Sequence, residues 1–153
     1  MTNHAGGISI IAFVIAVGIS MGYYQYMYVP AVNAKPILPP AVLNPPETLT
    51  VKITPGSSVE SNPKFFEPKD MRSAIGLNNH IIWQNNDQVP HSVTSDDGYI
   101  DKINGKFDTL ATIGLIPGGE TWEFTITAVG TYHYHCEPHP WMQGSIEVTE
   151  SFA

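Results

Sequence analysis

The run from Gly130 to Gly144, GTYHYHCEPHPWMQG, concentrates the side chains best able to bind a soft metal. Cys136 offers a thiolate, His139 an imidazole and Met142 a thioether, all on one short loop. Pro138 and Pro140 bracket the histidine, which reduces the entropy lost in holding it. One loop cannot surround an ion, so a further ligand must come from elsewhere. His91 meets that need: it follows Val89 and Pro90 and opens a short extended stretch far from the loop in sequence. Taken singly, Met142 reads as core filler and His91 as a hydrogen-bonded strand residue. Together, two imidazoles, a thiolate and a weak thioether form a set that suits copper in both oxidation states. Zinc favours a tetrahedral set and has little use for a thioether. The residues therefore point to one copper ion per chain, held by His91, Cys136, His139 and, more weakly, Met142.

The elements that must position these donors read as strands. Thr131 to Cys136 alternates, with Tyr132, Tyr134 and Cys136 on one face and Thr131, His133 and His135 on the other. Ser145 to Thr149 forms the strand after the loop. Thr121 to Thr127 places Trp122, Phe124 and Ile126 on its inner face, and Thr48 to Thr54 does the same with Leu49, Val51 and Ile53. His80 to Gln84 is a strand around Trp83, and His91 to Ser95 is short and extended. Short strands separated by Gly, Pro, Asn and Asp, with no long amphipathic helix after residue 46, indicate an all-β sandwich over 47–153.

Two segments precede that domain. Ile8 to Val29 carries no charge and, at roughly 33 Å as a helix, is long enough to cross a bilayer. Tyr23, Tyr24, Tyr26 and Tyr28 crowd its end, as residues of an interfacial belt do. Residues 1–29 thus read as a membrane anchor or a signal segment. No Lys or Arg precedes the apolar run, which argues for a retained anchor, whereas Val32 and Ala34 supply a small-residue cleavage pattern before Lys35. Residues 30–46 hold six prolines and read as a semi-rigid polyproline stalk. The domain is expected to be either anchored to a membrane or released by cleavage.

From Glu47 onward fourteen acidic residues face six basic ones, a formal charge of about −8 with His neutral. That balance repels phosphate backbones and excludes nucleic acid as a natural partner. A lone cysteine excludes an internal disulfide and any paired-cysteine zinc or redox motif.

The four ligands in this order, with the flanking VPHSV and GTYHYHC, resemble the cupredoxins, the type 1 blue copper family. The Cys-x-x-His-x-x-Met loop with proline on both sides of the histidine looks most like the amicyanin and plastocyanin-like branch. It also resembles archaeal membrane-associated copper proteins. The resemblance covers about Glu47 to Glu150. It implies a Greek-key cupredoxin sandwich, with His91, Cys136 and His139 as equatorial ligands, Met142 as the axial one, and Tyr132 at the tyrosine corner. It implies an electron carrier that cycles between Cu(I) and Cu(II) and exchanges single electrons with redox proteins, and it implies the extracytoplasmic side of the membrane for the domain. Ser92 stands where the family often has an asparagine that braces the cysteine loop, so that brace is an open question. Glu137, directly after the cysteine, is expected to lower the potential if it lies near the metal.

Three alternatives stay open. His135 beside Cys136 resembles the histidine that leads to a second copper centre in copper nitrite reductases, though few donors remain to build one, and exposure on the outer strand face is the plainer reading. The Met142 bond could give way to an open position where nitric oxide or nitrite reacts. Partners could dock transiently near His139 and Trp141, or Trp141 could pack inward and only stiffen the loop.

Overall fold

The computed structural model describes residues 5–151. The chain forms two compact units that divide between Pro36 and Ile37. In the first, helix α1 (Ala5–Tyr23) passes into a wider π-helical turn, Tyr24–Tyr28, and then into α2 (Val29–Val32). The wide turn lies directly ahead of Pro30, which has no N–H and would crowd the carbonyl four residues back in a regular helix. Tyr24 and Tyr28 stack with ring centroids 5.5 Å apart. The stretch Ser9–Val32 is long and apolar enough to cross a membrane. It runs three residues past the expected end at Val29.

The proline tract departs from the expected stalk. Helix α3 (Pro40–Leu43) interrupts it, with Pro40 at the first helical position, where a missing N–H costs nothing. Val42 is buried, and its carbonyl accepts a hydrogen bond of 2.9 Å from Asn79 Nδ2. The Glu47 N–H donates to the Leu77 carbonyl at 3.0 Å. Residues from Ile37 on are thus part of the compact second unit rather than a free spacer. Proline content forbids a ladder, but it does not forbid one helical turn with an apolar side chain to bury.

Ten strands follow: β1 (Thr48–Ile53), β2 (Phe66–Glu67), β3 (Asp70–Ala74), β4 (His80–Asn85), β5 (Thr94–Ser95), β6 (Ile100–Asp101), β7 (Gly105–Lys106), β8 (Thr121–Thr125), β9 (Gly130–Cys136) and β10 (His139–Thr149). One sheet has the order β2-β1-β4-β8 and the other β3-β10-β9-β5, with β6 and β7 forming a small separate hairpin. β1 runs parallel to β4 and β10 parallel to β3; the remaining pairs are antiparallel. The alternation in β1, β8 and β9 turns the expected residues inward, since Val51, Ile53, Trp122, Phe124, Tyr132, Tyr134 and Cys136 are all buried.

Aromatic rings join the two sheets. Tyr134 of β9 meets Trp83 of β4 edge-on, with centroids 5.7 Å apart, and Phe66 of β2 at 5.0 Å. Phe107 packs on Trp83 at 5.5 Å and stacks on Trp122. Fully burying side chains of this kind contributes about 1.5–3 kcal/mol each. The Tyr132 hydroxyl donates to the Ala128 carbonyl at 2.9 Å, the corner bond implied by the resemblance. The strands missed in the sequence, β2, β3, β6 and β7, are short or polar and owe their conformation to pairing partners.

Candidate metal centre

β9 ends at Cys136 and β10 begins at His139, and the two residues are register partners. The register shifts between His139 and Gln143, so Pro140, Trp141 and Met142 bulge out of the ladder at the end of the hairpin. Gln143 returns to register opposite His135, and Gly144 follows opposite Tyr134. A Cβ on Gly144 would lie 2.5 Å from Cζ and the hydroxyl of Tyr134, so glycine allows the hairpin to close here.

His91 arrives from the crossover between β4 and β5. Its N–H donates to the Ile116 carbonyl at 3.1 Å, and the Ile116 N–H donates back at 2.7 Å. Asn85 organises the approach: its Nδ2 donates to the carbonyls of Val89 and Ile116, both at 2.9 Å, and its Oδ1 accepts the Asp87 N–H at 2.9 Å. These bonds fix the loop that brings His91 to the hairpin end.

The three strong donors converge. His91 Nδ1 and His139 Nδ1 stand 3.1 Å apart, Cys136 Sγ lies 3.5 Å from His139 Nδ1, and Cys136 Sγ lies 3.7 Å from His91 Nδ1. First-row ions bind imidazole at about 2.0 Å and thiolate at about 2.3 Å, which spaces their ligands by roughly 3.3–3.7 Å. Two of the three separations fall in that range and the third, 3.1 Å, is about 0.2 Å short of it, so a small shift of the rings fits the donor set to an ion. Among the described residues this is the one group of three or more His, Cys, Asp or Glu side chains so arranged. His91, Cys136 and Met142 are fully buried, while His139 is partly exposed.

Burial raises the Cys136 thiol above its ordinary pKa, against hydrogen bonds from Ser92. Burial lowers His91, against the neighbouring Asp87 carboxylate. A neutral imidazole is the ligand form, and metal binding must displace the thiol proton. For Asp87, burial pushes the carboxyl up, but hydrogen bonds from the Gly56 N–H, from His91 and from the N–H groups of Gln88 and Ser58 outweigh it and hold it at about 2.

Ser92 supplies the brace that the sequence left open. Its N–H donates to Cys136 Sγ at 3.3 Å, and its Oγ accepts the Glu137 N–H at 2.8 Å. A hydroxyl on a short side chain suffices because the two loops lie close. The Glu137 side chain is half exposed and its carboxylate sits 3.5 Å from His135 Nε2. His135 Nδ1 is 2.6 Å from Asp96 Oδ1, and His133 is exposed. His80 Nδ1 meets Thr125 Oγ1 at 2.8 Å, and its Nε2 lies 3.4 Å from Glu123.

Trp141 is half buried. Its Nε1 donates to the Ser57 carbonyl at 3.0 Å, and its ring packs beside His139 with centroids 5.4 Å apart. Sequence reasoning missed Asp87, Asn85 and Ser57, because each lies in a polar, turn-forming stretch that reads as loop. The short spacing from Asp87 to His91 was the one available signal.

A buried site of mixed nitrogen and sulfur donors at the end of a β-sandwich defines a soft-metal-binding domain. The model of the copper binding proteins of the plastocyanin/azurin family matches residues 53–149, and the chain belongs to that family. Plastocyanin A/B of Petroselinum crispum is 32% identical over 85 residues, 54% of this chain and 86% of that protein. Amicyanin of Paracoccus denitrificans is 29% identical over 84 residues, 54% of this chain and 57% of that protein. The match thus spans little more than half the length of that amicyanin. A purple cupredoxin from Nitrosopumilus maritimus superposes with a TM-score of 0.49 at 22% identity, covering 66% of this chain and 99% of that one.

Proposed function

We propose that this protein is a mononuclear type 1 copper electron carrier with one ion per chain. His91, Cys136 and His139 would hold the ion strongly and Met142 would hold it weakly. The observation that carries the reading is the convergence of two imidazole nitrogens and one thiol sulfur within 3.1–3.7 Å at a buried hairpin end. Copper bound there supplies a one-electron couple.

The chain's own residues set the conditions for that couple. Buried Met142 and Cys136 keep water from the site, and Pro138 and Pro140 stiffen the turn around His139. The Ser92 brace fixes Cys136 against the His91 loop. A ligand set that barely moves keeps reorganisation small when an electron arrives or leaves. His139 is the ligand whose edge reaches solvent, so it is the port for transfer.

Redox proteins dock transiently around His139 and Trp141. Leu110, Ile113 and Leu115 are exposed on the loop that leads into Ile116, the backbone partner of His91. Small interfaces are sufficient for such encounters. The acidic residues Asp96, Asp97 and Glu137 steer a basic partner. The helix over Ser9–Val32 keeps the domain at the extracytoplasmic membrane face, with cleavage and release as the competing fate.

The test is the visible and EPR spectrum of the copper-loaded chain, with and without azide or nitrite. We expect one copper per chain, an intense thiolate-to-copper band, and no response to the added anions. Cys136→Ser removes the band, because a hydroxyl is neither soft nor readily ionised. A coloured Cys136→Ser protein refutes the ligand set, and a spectrum altered by nitrite refutes the closed carrier.

A further inference from the structure

We infer that Asp87 is a positioning residue for His91, its carboxylate fixing which imidazole nitrogen faces the metal. The inference rests on the copper reading above and adds a residue to it. Asp87 Oδ2 lies 2.9 Å from His91 Nε2, with His91 fully buried and Asp87 only 7% exposed. The other oxygen is already committed: Oδ1 accepts the Gly56 N–H at 3.0 Å and the Gln88 N–H at 2.8 Å. The Asp87 N–H is held in turn by Asn85 Oδ1 at 2.9 Å. These bonds hold the carboxylate in place, with Oδ2 facing His91 Nε2.

An ionised carboxylate only accepts hydrogen bonds, so the proton of a neutral His91 must sit on Nε2. That leaves the lone pair on Nδ1, the nitrogen 3.1 Å from His139 Nδ1 and 3.7 Å from Cys136 Sγ. Without Asp87 nothing described around Nε2 would favour that tautomer, and part of the population would turn an N–H toward the donor cluster. The carboxylate also makes the imidazole a stronger donor, as an acidic group behind a metal-bound histidine does. A stronger donor favours the more highly charged ion and so lowers the reduction potential. The anchoring turn lies between β1 and β2, remote in sequence from every ligand, and the same turn receives the Trp141 N–H through Ser57.

Asp87→Asn is the informative variant. Asparagine can keep an oxygen toward Gly56 and Gln88, but it then presents an NH2 group to His91, which must accept on Nε2 and carry its proton on Nδ1. The first readout uses the full chain in detergent, free of metal, with ¹⁵N-labelled histidine. Long-range proton–nitrogen spectra are expected to show His91 as the Nε2–H tautomer in the wild type and a shift toward Nδ1–H in Asp87→Asn. The second readout is copper titration and voltammetry. The variant is expected to lose about 10- to 100-fold in Cu(II) affinity, the usual cost of removing such a partner, and to show a raised potential. An Nδ1–H tautomer in the metal-free wild type overturns the inference without any variant. So does a folded Asp87→Asn chain with wild-type tautomer, affinity and potential, or one that merely melts earlier. Failure of the wild type to bind copper would sink the copper reading instead, while the tautomer result is judged separately on metal-free protein.

Discussion

Gly144→Ala tests whether the hairpin that carries the candidate ligands closes on a packed ring. The added Cβ would sit 2.5 Å from both Cζ and the hydroxyl oxygen of Tyr134 and 2.9 Å from Cε2. Carbon atoms in good contact stand about 3.5–4.0 Å apart, so ring or strand must give by about 1 Å. The ring has nowhere to go: Tyr134 is fully buried, with Phe66, Trp83 and Phe107 at centroid distances of 5.0, 5.7 and 6.0 Å. Overpacking of this kind costs about 1–3 kcal/mol, set against the roughly 0.5–1 kcal/mol that replacing a strand glycine returns. A net loss of about 1–2 kcal/mol is expected for the metal-free protein, read by urea or thermal unfolding of the β unit. At about 4–8 °C per kcal/mol for a domain near this size, the melting temperature falls by roughly 4–16 °C. Relief by separating β10 from β9 would act two residues from Met142, so the copper spectrum should change as well. Shortening the ring in the same background, with Tyr134→Leu, should cost less than the two single changes summed, by at least about 0.5 kcal/mol. A Gly144→Ala protein within 0.5 kcal/mol of the wild type, or a strictly additive pair, would refute the reasoning.

Met142→Leu should retain copper and raise the potential, because a weak thioether donor is lost from a site built by stronger ligands; voltammetry of the loaded protein reads it. Trp141→Ala, with its copper spectrum first shown intact, should slow electron exchange with a partner in stopped flow, and an unchanged rate removes Trp141 from the docking surface. Asp87 is held at about 2, below an ordinary carboxyl near 3.9, so its contribution to stability is complete above about pH 4 and lost as pH falls through about 2. That contribution is about 2–3 kcal/mol, and acid titration of metal-free stability should be correspondingly flatter in Asp87→Asn. The full-length protein should remain in the membrane fraction after a high-salt wash, since salt does not extract a spanning helix; soluble protein beginning at Lys35 would show a cleaved signal instead.

The donor loop was legible because its chemistry is local. Cys136, His139 and Met142 sit close in sequence, and the period-two alternation of β9 shows which way the cysteine faces. β1 and β8 were legible for the same reason. What escaped was whatever depends on a partner far along the chain. Asp70–Ala74 has no apolar alternation and is a strand because β10 pairs with it. Asp87 lies in a run, NNDQ, that reads as an exposed turn, yet it is buried behind His91 by the Gly56 turn. Ser92 looked too short to brace the cysteine, and only the closeness of the two loops makes its hydroxyl adequate. Val42 stood among prolines, where composition speaks for extension and says nothing of a side chain with a place to be buried.

β10 carries the end of the ligand loop and also forms the centre of its sheet, between β3 and β9. Those two roles bind the order of events during synthesis. β3 waits unpaired while about seventy further residues are made, and pairings of such long range are slow to form. Until β10 has emerged, Cys136 has no opposing strand and the pocket has no closed wall. A nascent chain stopped before Ser145 already carries His91, Cys136, His139 and Met142 but lacks the part of β10 that pairs with β3, so it should lack protected amides in β3 and should hold copper more loosely than the full chain. Closure of the candidate metal centre is in this sense a late event, timed by the sheet itself.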